Sequence, residues 1–153
     1  MSTGLLIGED EAVSLWTYKS FNIYPQPVNK AWGVMNGKGN LVGGILFQNF
    51  NGVALELSCY TQEHTITLGI CRAIAHVVIS DFKVGRLTVV TSRRNKRLIR
   101  ACLKLGFKIE GVMRCFYGHI DNKKNTGVRL VAFKDALNKV AYRTTSEHKN
   151  AIQ

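Results

Sequence analysis

This chain is poor in proline: its only two, Pro25 and Pro27, sit together, and no Pro- or Ser-rich linker divides the rest. With no internal repeat or low-complexity tract either, the sequence predicts a single domain over residues 1–153, a length at which one core stands without staples. It lacks any run of about 18 apolar residues, so no membrane span is expected. The opening MSTGLLIGEDEAVSL has acids where a secretion signal needs bases, which predicts a cytoplasmic protein. The four cysteines, Cys59, Cys71, Cys102 and Cys115, lie in apolar runs without a paired C-x-x-C spacing. That argues against a disulfide framework or a zinc site. No metal is expected, and buried free thiols are the default reading.

Acidic residues are scarce overall, and the formal net charge is +11. Residues 1–64 hold three lysines against five acids, whereas residues 65–153 hold 18 bases against five acids. Such asymmetry points to an anionic partner for the C-terminal half: nucleic acid, a coenzyme phosphate or an acidic protein. A solvated basic face that serves solubility is the plainer alternative.

Residues 3–8 suit a short strand, and Asp10 suits the N-cap of a helix over Glu11–Phe21 with acids in its first turn. Pro25 and Pro27 end that region, because each fixes φ and removes an amide donor. A three-strand meander follows, over Ala31–Asn36, Leu41–Phe50 and Val53–Tyr60. Gly37-Lys38-Gly39-Asn40 and Asn51-Gly52 are its turns, the latter a strong hairpin signal. Gly43-Gly44 within the second strand predicts a bulge or a close backbone approach.

Thr65–Phe82 is apolar apart from Arg72, His76 and Ser80. Their four-residue spacing makes one wet stripe on a buried helix. A strand is expected over Arg86–Ser92, then a helix over Arg93–Leu105. On that helix Arg93, Arg97, Arg100 and Lys104 share a stripe opposite Leu98, Ala101, Cys102 and Leu105. Gly106 stops it. Strands near Lys108–His119 and Gly127–Phe133 and a short helix over Lys134–Arg143 complete the chain, with the last ten residues frayed. A meander followed by strand-helix-strand units predicts a mixed α/β (α+β) sheet.

The run from Asn95 to Arg114, N-x-x-L-x-x-A-x-x-K-x-G-F-x-x-E-G-x-x-R, resembles the corresponding run of GCN5-related N-acetyltransferases, most closely their ribosomal-protein N-acetyltransferase branch. The likeness covers about residues 30–133. It implies that family's mixed, mostly antiparallel sheet with helices on both faces, preceded by a shortened N-terminal region (1–29) and followed by a C-terminal helix and tail (134–153).

The resemblance also implies acetyl-CoA as co-substrate and an amine acceptor, on a protein or a small molecule. In the family the coenzyme pyrophosphate rests on free amides at a helix N-terminus, where the dipole favours anions. The motif Gln/Arg-x-x-Gly-x-Gly/Ala falls here on Gln62-Glu63-His64-Thr65-Ile66-Thr67, with Thr65 and Thr67 at the small-residue positions. Thr65 or Thr67 as a plain helix cap is the alternative. The implied coenzyme surface comprises Cys59, Tyr60, Gln62, His64, Thr65, Ile66, Thr67 and Leu68, joined by Asn95, Arg97 and Leu98. Asn95 would hold the pantetheine arm or, on the plainer reading, cap its helix.

Acetyl transfer needs a base for the amine and an acid for the leaving thiolate. Glu56 matches a strand position where relatives carry a catalytic or water-ordering glutamate, although alternation with Leu55 and Leu57 also suits a solvent-facing residue. Amides near Ser58-Cys59 would polarise the thioester. Cys102 stands where relatives carry a tyrosine acid, and a small core residue is the competing reading. Tyr117 and His119, on a late strand, are further residues with reach to the cleft; no motif supports them, and a surface or core place is the plainer reading of each. The second functional reading is a non-catalytic member of the fold, of a size that suits a phage protein. It would use Arg93, Arg97, Arg100 and Lys104 to bind nucleic acid or an acidic protein non-specifically.

Overall fold

The computed structural model describes residues 4–62 and 66–142. A short strand β1 (Gly4–Leu6) leads into helix α1 (Asp10–Phe21), which ends where Asn22 turns left-handed at φ 51° and its amide bonds the Tyr18 carbonyl. Strands β2 (Lys30–Met35), β3 (Leu41–Gln48) and β4 (Ala54–Thr61) form the antiparallel meander. Helix α2 (Leu68–Ser80) then crosses to β5 (Arg86–Ser92), which lies parallel to β4. Helix α3 (Lys96–Lys104), the antiparallel pair β6 (Lys108–Met113) and β7 (Gly127–Phe133), and helix α4 (Lys134–Tyr142) follow. The seven strands make one sheet in the order β1-β2-β3-β4-β5-β7-β6.

The helices divide unequally between the sheet's faces. Ile70, Ile74, Val77 and Val78 of α2, Cys102 of α3 and Leu137 of α4 share one core with Ile45, Phe47, Leu55, Leu57, Leu87 and Leu130 of the sheet. Each large aliphatic side chain so enclosed contributes about 1.5–3 kcal/mol. On the other face Val13 of α1 packs with Ala31 and Leu46. Strand β3 is therefore buried on both sides, which explains its unbroken apolar sequence.

Thr17 on α1 is fully buried and approaches β3 at Gly44, where an added Cβ would lie 2.0 Å from the Thr17 hydroxyl. The close approach predicted for Gly43-Gly44 is thus the docking of α1. A register shift also sits beside it, between Val34 and Met35 of β2.

Several boundaries depart from the sequence reading. Asp10 is the first residue of α1; Glu9 takes the cap position without a side-chain bond. Helix α3 starts at Lys96, three residues later than expected, because the Asn95 side chain accepts from the Leu98 amide and caps it. Strand β6 stops at Met113. The next twelve residues or so form a loop, fastened where the Phe116 and Tyr117 amides both donate to the Asn125 carbonyl at 2.8 and 3.0 Å. Cys115 is exposed within this loop, contrary to the expectation of buried thiols throughout, whereas Cys102 is buried. Arg143 and the remaining tail lie outside the described residues. No helix among the described residues is long and apolar enough to cross a membrane.

Candidate active site

Strands β4 and β5 pair over only four residues, from Ala54↔Arg86 to Leu57↔Val89. Beyond that point they part. Strand β4 stays bonded to β3 as far as Thr61↔Gly43, and β5 stays bonded to β7 as far as Ser92↔Gly127. The result is an opening at the carboxyl ends of two parallel strands, where open α/β sheets place their ligands. The Gln62 amide donates to the Val42 carbonyl at 2.8 Å, so it turns toward β3. The Leu55 carbonyl turns the other way and accepts from the Thr88 hydroxyl at 3.4 Å. Backbone alternation along β4 therefore aims the amides of Cys59 and Thr61 into the opening.

Helix α2 begins at the mouth of this opening. Thr67 is its N-cap, with the side-chain oxygen accepting from the Ile70 amide at 3.2 Å. Its first turn contains no acid, which suits an anion at that end of the helix dipole. Gly69 in that turn is open: an added Cβ would meet only Thr67, at 3.7 Å. Gln62 and Thr67 flank the mouth, together with the partly buried Ile66 and Leu68. His64 and Thr65 lie outside the described residues.

One face of the sheet presents Glu56, Ser58 and Tyr60 side by side. Glu56 is about one-third exposed and is held by two partners: Asn49 Nδ2 donates to it at 2.8 Å, and Arg129 of β7 pairs with it at 3.4 Å. Alternation had set Glu56 opposite Leu55 and Leu57, and those two are buried in the core as expected. Ser58 Oγ donates to Gln48 at 3.3 Å. Burial raises the Tyr60 hydroxyl above its ordinary range, while a hydrogen bond with Ser58 acts in the opposite direction. Tyr18 of α1 approaches from one side; its hydroxyl donates to the Gln26 carbonyl. From the other side comes Tyr117 of the β6–β7 loop, its hydroxyl pushed up to about 12 by burial and by the nearby Tyr60. Both raised hydroxyls keep their protons at neutral pH. The sequence offered Tyr117 only by reach. What brings it in is the loop, which no local pattern announces.

The opposite face carries thiols. Burial pushes Cys59 and Cys102 up to about 12 and Cys71 up to about 11; the neighbouring Cys71 adds to the rise at both Cys59 and Cys102. Cys102 is 6% exposed inside the main core. Its surroundings are those of a small core residue, and a proton lost there has no wet route back. Asn95 uses its side chain twice, capping α3 and donating to the Thr91 hydroxyl at 3.2 Å. It is an exposed residue that precedes and caps the helix, the plainer of its two readings. Leu98 packs on the core, and Arg97 is exposed with Arg100 and Lys104. Among the described residues, no group of three His, Cys, Asp or Glu side chains is arranged to hold a metal.

No family model matches the chain, and no curated protein matches it in sequence. Solved structures do match. The dodecameric spermidine N-acetyltransferase of Vibrio cholerae superimposes with a TM-score of 0.69, covering 94% of this chain and 98% of that one at 12% identity. A chimera of the Vibrio cholerae enzyme with hSSAT gives 0.68 over 90% and 99%, at 11% identity. A protein named for a proposed phosphinothricin N-acetyltransferase activity gives 0.61 over 86% and 98%, at 17% identity. The chain has the fold of the GCN5-related N-acetyltransferases, as the Asn95–Arg114 run led us to expect.

Proposed function

We propose that this protein transfers an acetyl group from acetyl-CoA to an amine. The parting of β4 from β5 after Leu57↔Val89 carries this reading, because it leaves backbone donors facing a slot at the mouth of a helix N-terminus. The coenzyme pyrophosphate would lie on the first turn of α2, between Gln62 and Thr67. Asn95, Arg97 and Leu98 would flank the pantetheine arm. The amide of Cys59 would donate to the thioester carbonyl, favouring attack and the oxyanion that follows.

Glu56 takes a proton from the acceptor ammonium, directly or through one water. The free amine attacks the carbonyl carbon, and the tetrahedral intermediate expels the coenzyme thiolate. The new amide nitrogen releases its second proton to solvent, the thiolate gains one from a tyrosine hydroxyl, and solvent returns that hydroxyl and Glu56 to their starting states. The Tyr117 hydroxyl, which is protonated at neutral pH, is the donor we assign to the thiolate. Cys102, enclosed in the core, is not given a role. For the acceptor, the likeness of the Asn95–Arg114 run to the ribosomal-protein branch favours an amine on a protein, in the cytoplasm.

Calorimetric titration with acetyl-CoA and with CoA tests the reading. Micromolar binding of both, followed by acetylation of one member of an amine panel, supports it. An absence of binding at millimolar coenzyme would refute it in favour of a non-catalytic use of the fold.

A further inference from the structure

Charge on the face of the sheet that carries Glu56 is balanced pair by pair. Alternation puts Arg86, Thr88 and Val90 of β5 on that face with Glu56, and the pair Val90↔Arg129 adds Arg129 of β7. Glu56 meets Arg129, Glu110 of β6 meets Arg86, and Asp121 of the β6–β7 loop meets Arg114. The acids that open α1, Asp10 and Glu11, stand about 15 Å of helix away from Phe21, the end that meets Tyr60. Around Glu56, therefore, every carboxylate among the described residues already has an arginine. A first ammonium on an acceptor finds Glu56, but a second finds the Arg129 guanidinium. Like charges about 10 Å apart at an effective dielectric of about 20 cost about tenfold in affinity.

Beyond Glu56 the same face is aromatic. Helix α1 covers β2 and β3 and the other helices pack on the opposite face, so Glu56 and Arg129 stay about one-third exposed. Tyr117 approaches Tyr60, and Phe116 meets Tyr117 edge to face, with centroids 5.0 Å apart. The Phe116 ring packs over Gly127, where an added Cβ would lie 3.1 Å from its Cδ1. Gly127 shares the face of Arg129 by alternation. From α1, Phe21 reaches Tyr60 at 5.6 Å. The Cys59 amide lies between Ser58 and Tyr60, so an amine attacking a carbonyl held there has these rings beside it.

We propose that the acceptor is a primary amine with a single positive charge and an apolar group beside it, and that Arg129 is the residue that turns away a second charge. The inference rests on the acetyl-transfer reading for its chemistry, and it names the substrate class of that site. A free peptide N-terminus that begins with a bulky apolar residue has this chemistry, and so does a small apolar amine. A polyamine lacks it, because each further ammonium needs a carboxylate that this face does not have to spare.

Calorimetric titration of the full chain, with CoA present and at an ionic strength of about 0.15 M, reads the site without requiring turnover. The ligands are phenethylamine, a peptide amide beginning with phenylalanine, and spermidine. Both monoamines should bind about tenfold more tightly than spermidine. The tighter of the two identifies the source, a protein N-terminus or a small molecule. Arg129→Met should bring spermidine within about twofold of the monoamines, whereas Arg129→Lys keeps the charge and should keep the preference. Phe116→Ala should weaken both monoamines about fivefold and leave spermidine unchanged. Spermidine binding to the parent chain as tightly as the monoamines would overturn the proposal. So would an unchanged preference in Arg129→Met, or no binding of any of the three amines. Selective binding without acetylation in the presence of acetyl-CoA would leave the charge selection standing and refute acetyl transfer instead.

Discussion

Replacing Gly44 by alanine should loosen α1 from the sheet, and the size of the effect follows from one contact. A Cβ at Gly44 would lie 2.0 Å from Thr17 Oγ1 and 3.1 Å from both Thr17 Cβ and Cγ2. Ordinary contact begins near 3.4 Å, so the helix and strand must separate by roughly 1 Å or the hydroxyl must rotate away. Rotation is costly, because Thr17 is fully buried and its hydroxyl donates to the Val13 carbonyl at 2.7 Å. Overpacking of this kind costs about 1–3 kcal/mol, and the short distance puts Gly44→Ala at the upper end, about 3. For a chain of this length that is a fall in Tm of roughly 6–12 °C.

Thr17→Ala alone loses a buried methyl and a local hydrogen bond, about 2 kcal/mol. Combined with Gly44→Ala, however, it removes the clashing oxygen and leaves only the tight Cβ contact. The double variant should therefore recover about 2 kcal/mol relative to the sum of the singles, far more than additivity permits. Thermal and urea unfolding followed by circular dichroism would measure the cycle. Additive effects, or a Gly44→Ala variant within about 0.5 kcal/mol of the parent, would refute the packing argument. The result also bears on the site, since α1 carries Tyr18 to the edge of the cleft and a displaced helix should raise KM for the amine.

Glu56→Gln should lower kcat by a factor of about 10²–10⁴ while leaving the acetyl-CoA affinity within about twofold; an unchanged kcat would remove Glu56 as the base. Under native conditions a chromogenic disulfide reagent should titrate the exposed Cys115 quickly and reach the buried Cys102 only after unfolding, with the half-buried Cys59 and Cys71 between them. Loss of the fast phase in a variant other than Cys115→Ser, or fast reaction of Cys102, would contradict this order. Stability should fall as the pH rises above about 9, where the unfolded thiols ionise while the folded ones stay protonated to about 11 or 12. The raised folded pKa makes this contribution complete below the unfolded value and lost above it, at up to about 1.4 kcal/mol per thiol per pH unit. Urea midpoints between pH 9 and 10 should thus fall less steeply for Cys102→Ala than for the parent, and identical slopes would refute the assignment.

The elements legible in the sequence were those whose ends are set by local chemistry. Arg86–Ser92 and Gly127–Phe133 form strands over those spans, and Gly106 ends α3 at φ 99°. The errors have local causes too, but ones that composition conceals. The helix expected from Arg93 overran its true start, because an asparagine that caps a helix and one that lies within it share one letter; Asn95 caps α3, the plainer of its two readings. Val112, Phe116 and Tyr117 have strand propensities, so a strand to His119 seemed natural. The Asn125 carbonyl, accepting two amides eight and nine residues back, fixes a loop there instead.

The site itself is non-local throughout. Glu56 meets an arginine 73 residues further along the chain, Tyr117 meets Tyr60, and the opening exists because two strands cease to pair. Alternation correctly gave Glu56 a face. A periodicity of two can do no more than that, because it fixes direction relative to one strand and is silent about what the neighbouring strands deliver to the same side. The partners of Glu56 follow from strand order, and strand order was available from the sequence only through the resemblance. The resemblance thus brought a catalytic reading within reach, and Arg129, which no motif pointed to, came from the topology.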